Sequence, residues 1–243
     1  EKRKQRSSGV KQSGERLSQS ETENRRVSIS SWFNRGFCSE ELDPPFWKTI
    51  VLRSFVKLGN EMSGELEKYL RANSDIIRIL EIVRELDLKD SWLCAGTIRN
   101  FIWNQYHFDK TTDVDIVFFD EGISYEKTLE IENHLHYMYP EYKWELKNQV
   151  FMHIHSPNSL PYQSSKDAIE KFPERCTAVG VRLLKEGNME LFAPFGMEDI
   201  YQYRVQPTPH FLADKNRMQL YKTRASKKNW DHKWPQMIIS FEE

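Results

Sequence analysis

Asp113 and Asp115 are the residues whose type and spacing point most directly to chemistry, because they stand two apart in DVDIVFF, a run rich in β-branched and aromatic side chains. On a strand, two such residues face the same way with Cα atoms roughly 6.6 Å apart. At that separation two carboxylates repel by about 0.6 kcal/mol in water and about 2.5 kcal/mol at an effective dielectric of 20, a cost that a coordinated divalent cation reverses. Upstream, Ala95-Gly96-Thr97-Ile98-Arg99-Asn100 reads as a glycine turn entering a helix, where backbone N–H groups and the helix dipole receive a phosphate. Downstream, Glu145 lies between Trp144 and Leu146 on the polar side of an alternating run and is the candidate third carboxylate. Magnesium, or manganese in its place, prefers carboxylate, phosphate and water oxygens, so this pattern fits metal-assisted phosphoryl or nucleotidyl transfer.

The elements that must position these groups follow from periodicity. Apolar residues recur at helical spacing over residues 74–88, with Ser74 as a cap, and again through Ile98, Phe101 and Ile102. A short buried strand over residues 91–95 precedes the glycine turn. Residues 113–119 form a strand and residues 125–138 a helix. Residues 144–154 alternate, with Trp144, Leu146, Val150, Met152 and Ile154 on one side and Glu145, Lys147, Gln149 and His153 on the other, which predicts one half-buried strand. A further strand is expected over 177–184 and a helix over 197–203. Strands interspersed with helices predict an α/β (α+β) domain.

The chain has 243 residues, 39% of them apolar and 13% aromatic, enough for one sizeable core or two modest ones. Lys and Arg number 35 against 36 Asp and Glu, a net charge of -1, so the balance of a nucleic-acid coating protein is absent and no stable DNA binding is expected. Cys38, Cys94 and Cys176 are scattered and odd in number, which argues against a disulfide framework and for a reducing, cytoplasmic setting. No apolar run approaches the ~20 residues of a membrane span. Residues 1–61 carry twelve basic and eight acidic groups and the remainder 23 and 28, and the first thirty residues are too poor in apolar side chains to offset their ordering entropy. The expectation is a disordered or poorly structured extension over residues 1–61, a domain over 62–243, and a native start at Met62.

The segments CAGTIRNFIWN, TTDVDIVFFD, WELKNQVFMH, FPERCTAVGVRL, APFGMEDIY and KKNWDHKWP resemble the DNA polymerase β-type nucleotidyltransferase superfamily, and more closely a small, mainly bacterial nucleotidyltransferase family of unassigned substrate. The resemblance spans about residues 62–237, three quarters of the chain. It implies a mixed β-sheet flanked by helices, with Gly96 and Thr97 holding nucleotide phosphates, Asp113 and Asp115 binding metal, and Glu145 binding metal or activating the acceptor. Thr97 stands where the wider superfamily usually has Gly or Ser, and it still supplies a hydroxyl and an N–H.

Other residues carry two readings each. Arg99 and Asn100 either orient phosphate or ribose or are exposed first-turn residues, and Lys147 either neutralises a phosphate or pairs with an acid. His153 and His155 have an HxH spacing also found in zinc hydrolases, but without further ligands they read as structural or substrate-facing. The cluster Lys215, Arg217, Lys222, Arg224, Lys227 and Lys228, interleaved with Tyr221, Trp230 and Trp234, is either a solvated helix face or a contact for acceptor phosphates. Trp230 and Trp234 read first as a packing lock. The function expected is transfer of a nucleoside monophosphate from an NTP, with release of pyrophosphate, to an acceptor that is a small molecule, a protein or an RNA. The alternative is a non-catalytic nucleotide-binding or regulatory module of toxin–antitoxin type.

Overall fold

A computed structural model describes residues 64–228 and 230–241. The expected extension over residues 1–61, the boundary after it and Met62 lie outside the described residues. A first helix, α1, covers residues 64–72. The next, α2 (Ser74–Glu85), is capped by Asn73 rather than by Ser74, since the Asn73 side chain accepts the Ile76 N–H. Asn73 holds extended backbone angles that suit an N-cap, and its replacement by alanine should cost about 1 kcal/mol in a thermal or denaturant melt.

The centre is a five-stranded mixed sheet in the order β3-β2-β1-β4-β5, built from β1 (Trp92–Cys94), β2 (Asp113–Phe118), β3 (Lys143–Asn148), β4 (Gly180–Leu183) and β5 (Met189–Phe192). Between strands run α3 (Ala95–Trp103) and α4 (Tyr125–Met138). Only β2 and β3 in this sheet are parallel, and α4 provides the crossover that a parallel pair requires. Val114, Ile116 and Phe118 of β2 point to one face, where they pack with Ile76, Ile79, Leu80 and Val83 of α2, Ile98, Phe101 and Ile102 of α3 and Leu135 of α4. This is the main core. Because the side-chain period is two, burying those residues turns Asp113, Asp115 and Val117 to the opposite face. Part of that face is covered by α5 (Ser165–Glu170), whose Ile169 packs with Trp92, Cys94 and Val117, leaving the acid-bearing end open.

The strand expected over residues 144–154 is shorter than its alternation suggested. It stops at Asn148, whose amide donates to the Asp120 and Ile123 carbonyls, while Gln149 N–H donates to Phe118 O. The chain then turns into a 3-10 turn, Met152–His155, so the two histidines do not share a strand face. His153 sets its ring against Tyr162, whereas His155 reaches the cleft described below. The expected strand over 177–184 likewise starts later, at Gly180, because Arg175–Thr177 form a 3-10 turn, and the helix over 197–203 contracts to α6 (Glu198–Tyr201). β3 lies at the border of the sheet, where Glu132 of α4 accepts the Leu146 N–H at 2.6 Å.

The C-terminal part comprises β6 (Arg204–Val205), α7 (Pro209–Leu212), α8 (Lys215–Lys227), α9 (Trp230–Lys233) and β7 (Ile238–Ile239), with β6 and β7 paired in parallel. Arg217, Tyr221 and Ala225 form the buried stripe of α8. The Arg217 guanidinium holds the carbonyls of His210 and Pro157, so this member of the basic cluster serves packing.

Candidate active site

A cleft of about 770 Å³ opens over the uncovered end of the sheet and contains Gly96, Arg99, Asn100, Asp113, Asp115, Glu145 and Lys147 among its lining residues. The parallel register sets Asp115 directly beside Glu145, with Asp113 one pleat away on the same face. The antiparallel register of β1 and β2 brings Cys94 opposite Asp115. Cys94 is fully buried, and its thiol is pushed well above the usual range, first by burial and then by the charges of Asp115 and Glu145. It is therefore a packing residue and not a nucleophile.

The turn between β1 and α3 is tight. Ala95 takes a left-handed φ of 52° and donates its N–H to Val179 O at 3.0 Å, so the helix leaves the strand with no intervening loop. That junction delivers the first turn of α3 to the acids. Thr97 N–H donates to Asp115 Oδ2 at 3.1 Å, and its hydroxyl accepts from Asp115 N at 2.7 Å and donates to Asp113 O at 3.2 Å. Both polar groups of Thr97 thus fasten α3 to β2, while Gly96 N–H belongs to the first helical turn and has no intrahelical acceptor. A Cβ on Gly96 would stand 2.8 Å from Asp115 Oδ2, so only glycine lets the helix approach the carboxylate this closely.

Asp115 is the electrostatic centre. Burial pushes its carboxyl up to about 6, the Glu145 charge adds to this, and the Thr97 N–H and Arg99 oppose it. A half-buried carboxylate beside a second one is stabilised by a cation, and the donor set here is all oxygen, as magnesium or manganese requires. Among the described residues no group of three or more His, Cys, Asp or Glu is placed to hold a metal ion by itself. Magnesium sites of this kind are completed by the substrate's phosphates and by water. The residues fit such an ion.

Arg99 is not an exposed first-turn residue. It is 5% exposed, with its guanidinium 4.9 Å from the Trp103 ring centroid and 4.5 Å from that of Trp230. Its Nε and Nη2 donate to Asn100 Oδ1 at 3.2 and 2.9 Å, which leaves the Asn100 amide nitrogen toward Gly96. Lys147 lies on the same face as Glu145 but bonds Glu132 at 3.2 Å, with Glu145 at 3.9 Å. Arg224, Lys228 and Lys233 also line the cleft, as does Trp230. None of these belonged to the candidate site, although the basic and aromatic run toward the C-terminus was the signal that pointed to them. Trp234, 5% exposed, meets Trp103 edge-on and donates to Asn104 Oδ1, so with Trp230 it does lock the C-terminal end.

A mixed sheet with a helix entering from a glycine turn onto paired strand aspartates is a polymerase β-like nucleotidyltransferase fold. The chain belongs to the family described as Nucleotidyltransferase, which matches residues 81–239, and it is an enzyme that uses an NTP for nucleotidyl transfer. An NMR structure described as revealing a CCA-adding enzyme head domain is 53% identical, with a TM-score of 0.69 over 73% of this chain and 95% of that one. More distant is a crystal structure of tRNA nucleotidyltransferase complexed with a primer tRNA and an incoming ATP analog, 16% identical with a TM-score of 0.41 over 66% of this chain and 46% of that one. A tRNA-processing enzyme in an apo form is 15% identical, with a TM-score of 0.44 over 69% of this chain and 44% of that one. No curated protein matches. Among the described residues no helix is long and apolar enough to cross a membrane.

Proposed function

We propose that this protein transfers a nucleoside monophosphate from an NTP to an acceptor hydroxyl or phosphate, with release of pyrophosphate and dependence on magnesium or manganese. The observation that carries the reading is the side-by-side register of Asp115 and Glu145, with Asp113 one pleat away, beneath the first turn of α3. Asp113, Asp115 and Glu145 would hold the metal, which supplies charge neutralisation on the phosphates and a lowered pKa of the attacking hydroxyl. Gly96 N–H and the Asn100 amide present donors to the phosphates, and Arg99 keeps Asn100 turned toward them. The acceptor oxygen forms a bond to the α-phosphorus as the bond to the α,β-bridging oxygen breaks, the electron pair leaving with pyrophosphate. Glu145, on the border strand, stands where it can face the incoming acceptor.

Family membership favours the enzyme over a non-catalytic nucleotide-binding module. The relative described as a CCA-adding enzyme head domain supports RNA among the candidate acceptors, beside small molecules and proteins. We assign this activity to residues 62–243, and to the cytoplasm, since Cys94 and Cys176 are both unpaired and buried. Incubation of the protein in a cell extract with each radiolabelled NTP and magnesium should yield a labelled product and pyrophosphate. Binding of every NTP without pyrophosphate release under any condition would overturn the reading.

A further inference from the structure

Five cationic side chains, Arg99, Lys147, Arg224, Lys228 and Lys233, line the cleft. Three of them are already committed. Arg99 is clamped between two indoles with its fork on Asn100. Lys147 is held by Glu132 and Glu145, and Lys233 bonds Asp109 at 2.7 Å, which together with hydrogen bonds from Thr111 holds the Asp109 carboxyl down to about 2.

Arg224 is different. Its Nε donates to Glu174 Oε1 at 2.8 Å, and Glu174 is completely buried, with its other oxygen accepting the Thr177 hydroxyl at 2.9 Å. The guanidinium is thus rooted at one nitrogen in a fixed carboxylate, while its side chain keeps 41% exposure in the cleft. Among the described residues no acceptor faces its two terminal nitrogens. Lys228, the C-cap of α8 about one turn beyond Arg224, lines the same cleft with no acidic partner among the described residues. An arginine anchored through Nε presents a pre-oriented fork that matches two oxygens of one phosphate. A lysine one turn away adds a point charge for the next phosphate.

We propose that Arg224 and Lys228 are the subsite for the β- and γ-phosphates of the NTP, the part that leaves as pyrophosphate. This rests on the transfer reading above. Displacement at the α-phosphorus is in line, so the leaving group departs on the side opposite the attacking oxygen. Glu145 marks the acceptor side at the sheet border. Directly after Lys228 the chain reaches α3, because Trp230 at the start of α9 stacks on Arg99. Arg224 and Lys228 therefore look onto the leaving-group side, beside the first turn of α3.

The test uses the full chain with Arg224→Gln, Lys228→Gln and, as a control on an outward-facing position of the same helix, Lys222→Gln. Inorganic pyrophosphate, NTP and the matching NMP are titrated at fixed magnesium, with thermal melts verifying the fold. Lys228→Gln is the safeguard, since Arg224→Gln removes the partner of a buried acid. Both cleft variants should weaken pyrophosphate and NTP by about tenfold or more, with NMP affinity within about twofold of wild type and Lys222→Gln unchanged. Unchanged pyrophosphate affinity in folded Lys228→Gln, or equal weakening of NMP and pyrophosphate, overturns the assignment. So does loss of an acceptor oligonucleotide with NTP affinity intact, which would make the phosphates those of the acceptor. Pyrophosphate binding is read without turnover, so a chain that binds it through Arg224 and Lys228 yet transfers nothing would refute the transfer reading and leave the subsite standing.

Discussion

Replacing Asp115 by asparagine is expected to abolish transfer and, at neutral pH, to make the protein more stable. The Asp115 carboxyl is pushed up to about 6, chiefly by burial and next by the charge of Glu145. An unfolded aspartate titrates near about 3.9, so the folded chain binds this proton more tightly than the unfolded chain does. The stability linked to that proton is fully present below about pH 4 and is lost as pH rises through about 6. Above that window the ionised group costs up to about 2–3 kcal/mol, an upper bound because the side chain is only half-buried. Asparagine removes the charge and keeps an oxygen for the Thr97 N–H. The Asp115→Asn variant should therefore melt above wild type at pH 7.5, with the gap roughly halved at pH 5 and closed by about pH 4, while turnover falls by about 10³-fold or more. Magnesium should raise the melting temperature of wild type and leave the variant nearly unmoved. A variant that melts lower at pH 7.5, or one that retains transfer, would remove Asp115 from the centre of the site.

The second large effect is expected at Gly96. Alanine in a helix is favoured over glycine by about 1 kcal/mol, and the Gly96 backbone is helical, so propensity alone predicts a harmless or stabilising change. The site predicts the opposite for activity. The added methyl would meet Asp115 Oδ2 at 2.8 Å and lie 3.8 Å from Arg99 Nη2 and 4.0 Å from Asn100 Nδ2. The carboxylate must move, and the methyl fills the space through which a phosphate oxygen reaches the backbone N–H. Gly96→Ala should lower kcat/KM by about 100-fold or more with a raised KM for NTP, against an unchanged circular dichroism spectrum. A wild-type KM for NTP would mean that the phosphates do not approach this turn.

Much of the site was legible because it rests on local rules. Strand periodicity alone placed Asp113 and Asp115 on one face, and the glycine turn before a helix marked where α3 meets them. The adjacency of Glu145 to Asp115 depends on a parallel register that no local pattern reports, although the polar position of Glu145 in an alternating run made it the natural candidate. The same alternation misled beyond Asn148. The side-chain amide of Asn148 binds two carbonyls in the preceding loop and ends the strand, so Val150 and Met152 kept the alternating pattern without the conformation. At α2 the neighbouring Asn73 outcompeted Ser74 for the cap, a difference of one residue between two good capping side chains. Arg224 and Lys228 looked like a solvated helix face because what makes them a cleft wall is tertiary: buried Glu174 behind one and the stacking of Trp230 on Arg99 beyond the other.

The carboxylate of Glu132 on the Leu146 N–H has a protective side as well. An exposed border strand invites pairing with a second chain, and β3 carries an acid whose orientation such pairing would disturb. With that donor occupied and the ammonium of Lys147 held alongside, the strand offers a poorer template for intermolecular sheet growth. The rim of the sheet can thus stay uncovered without becoming a seed for aggregation.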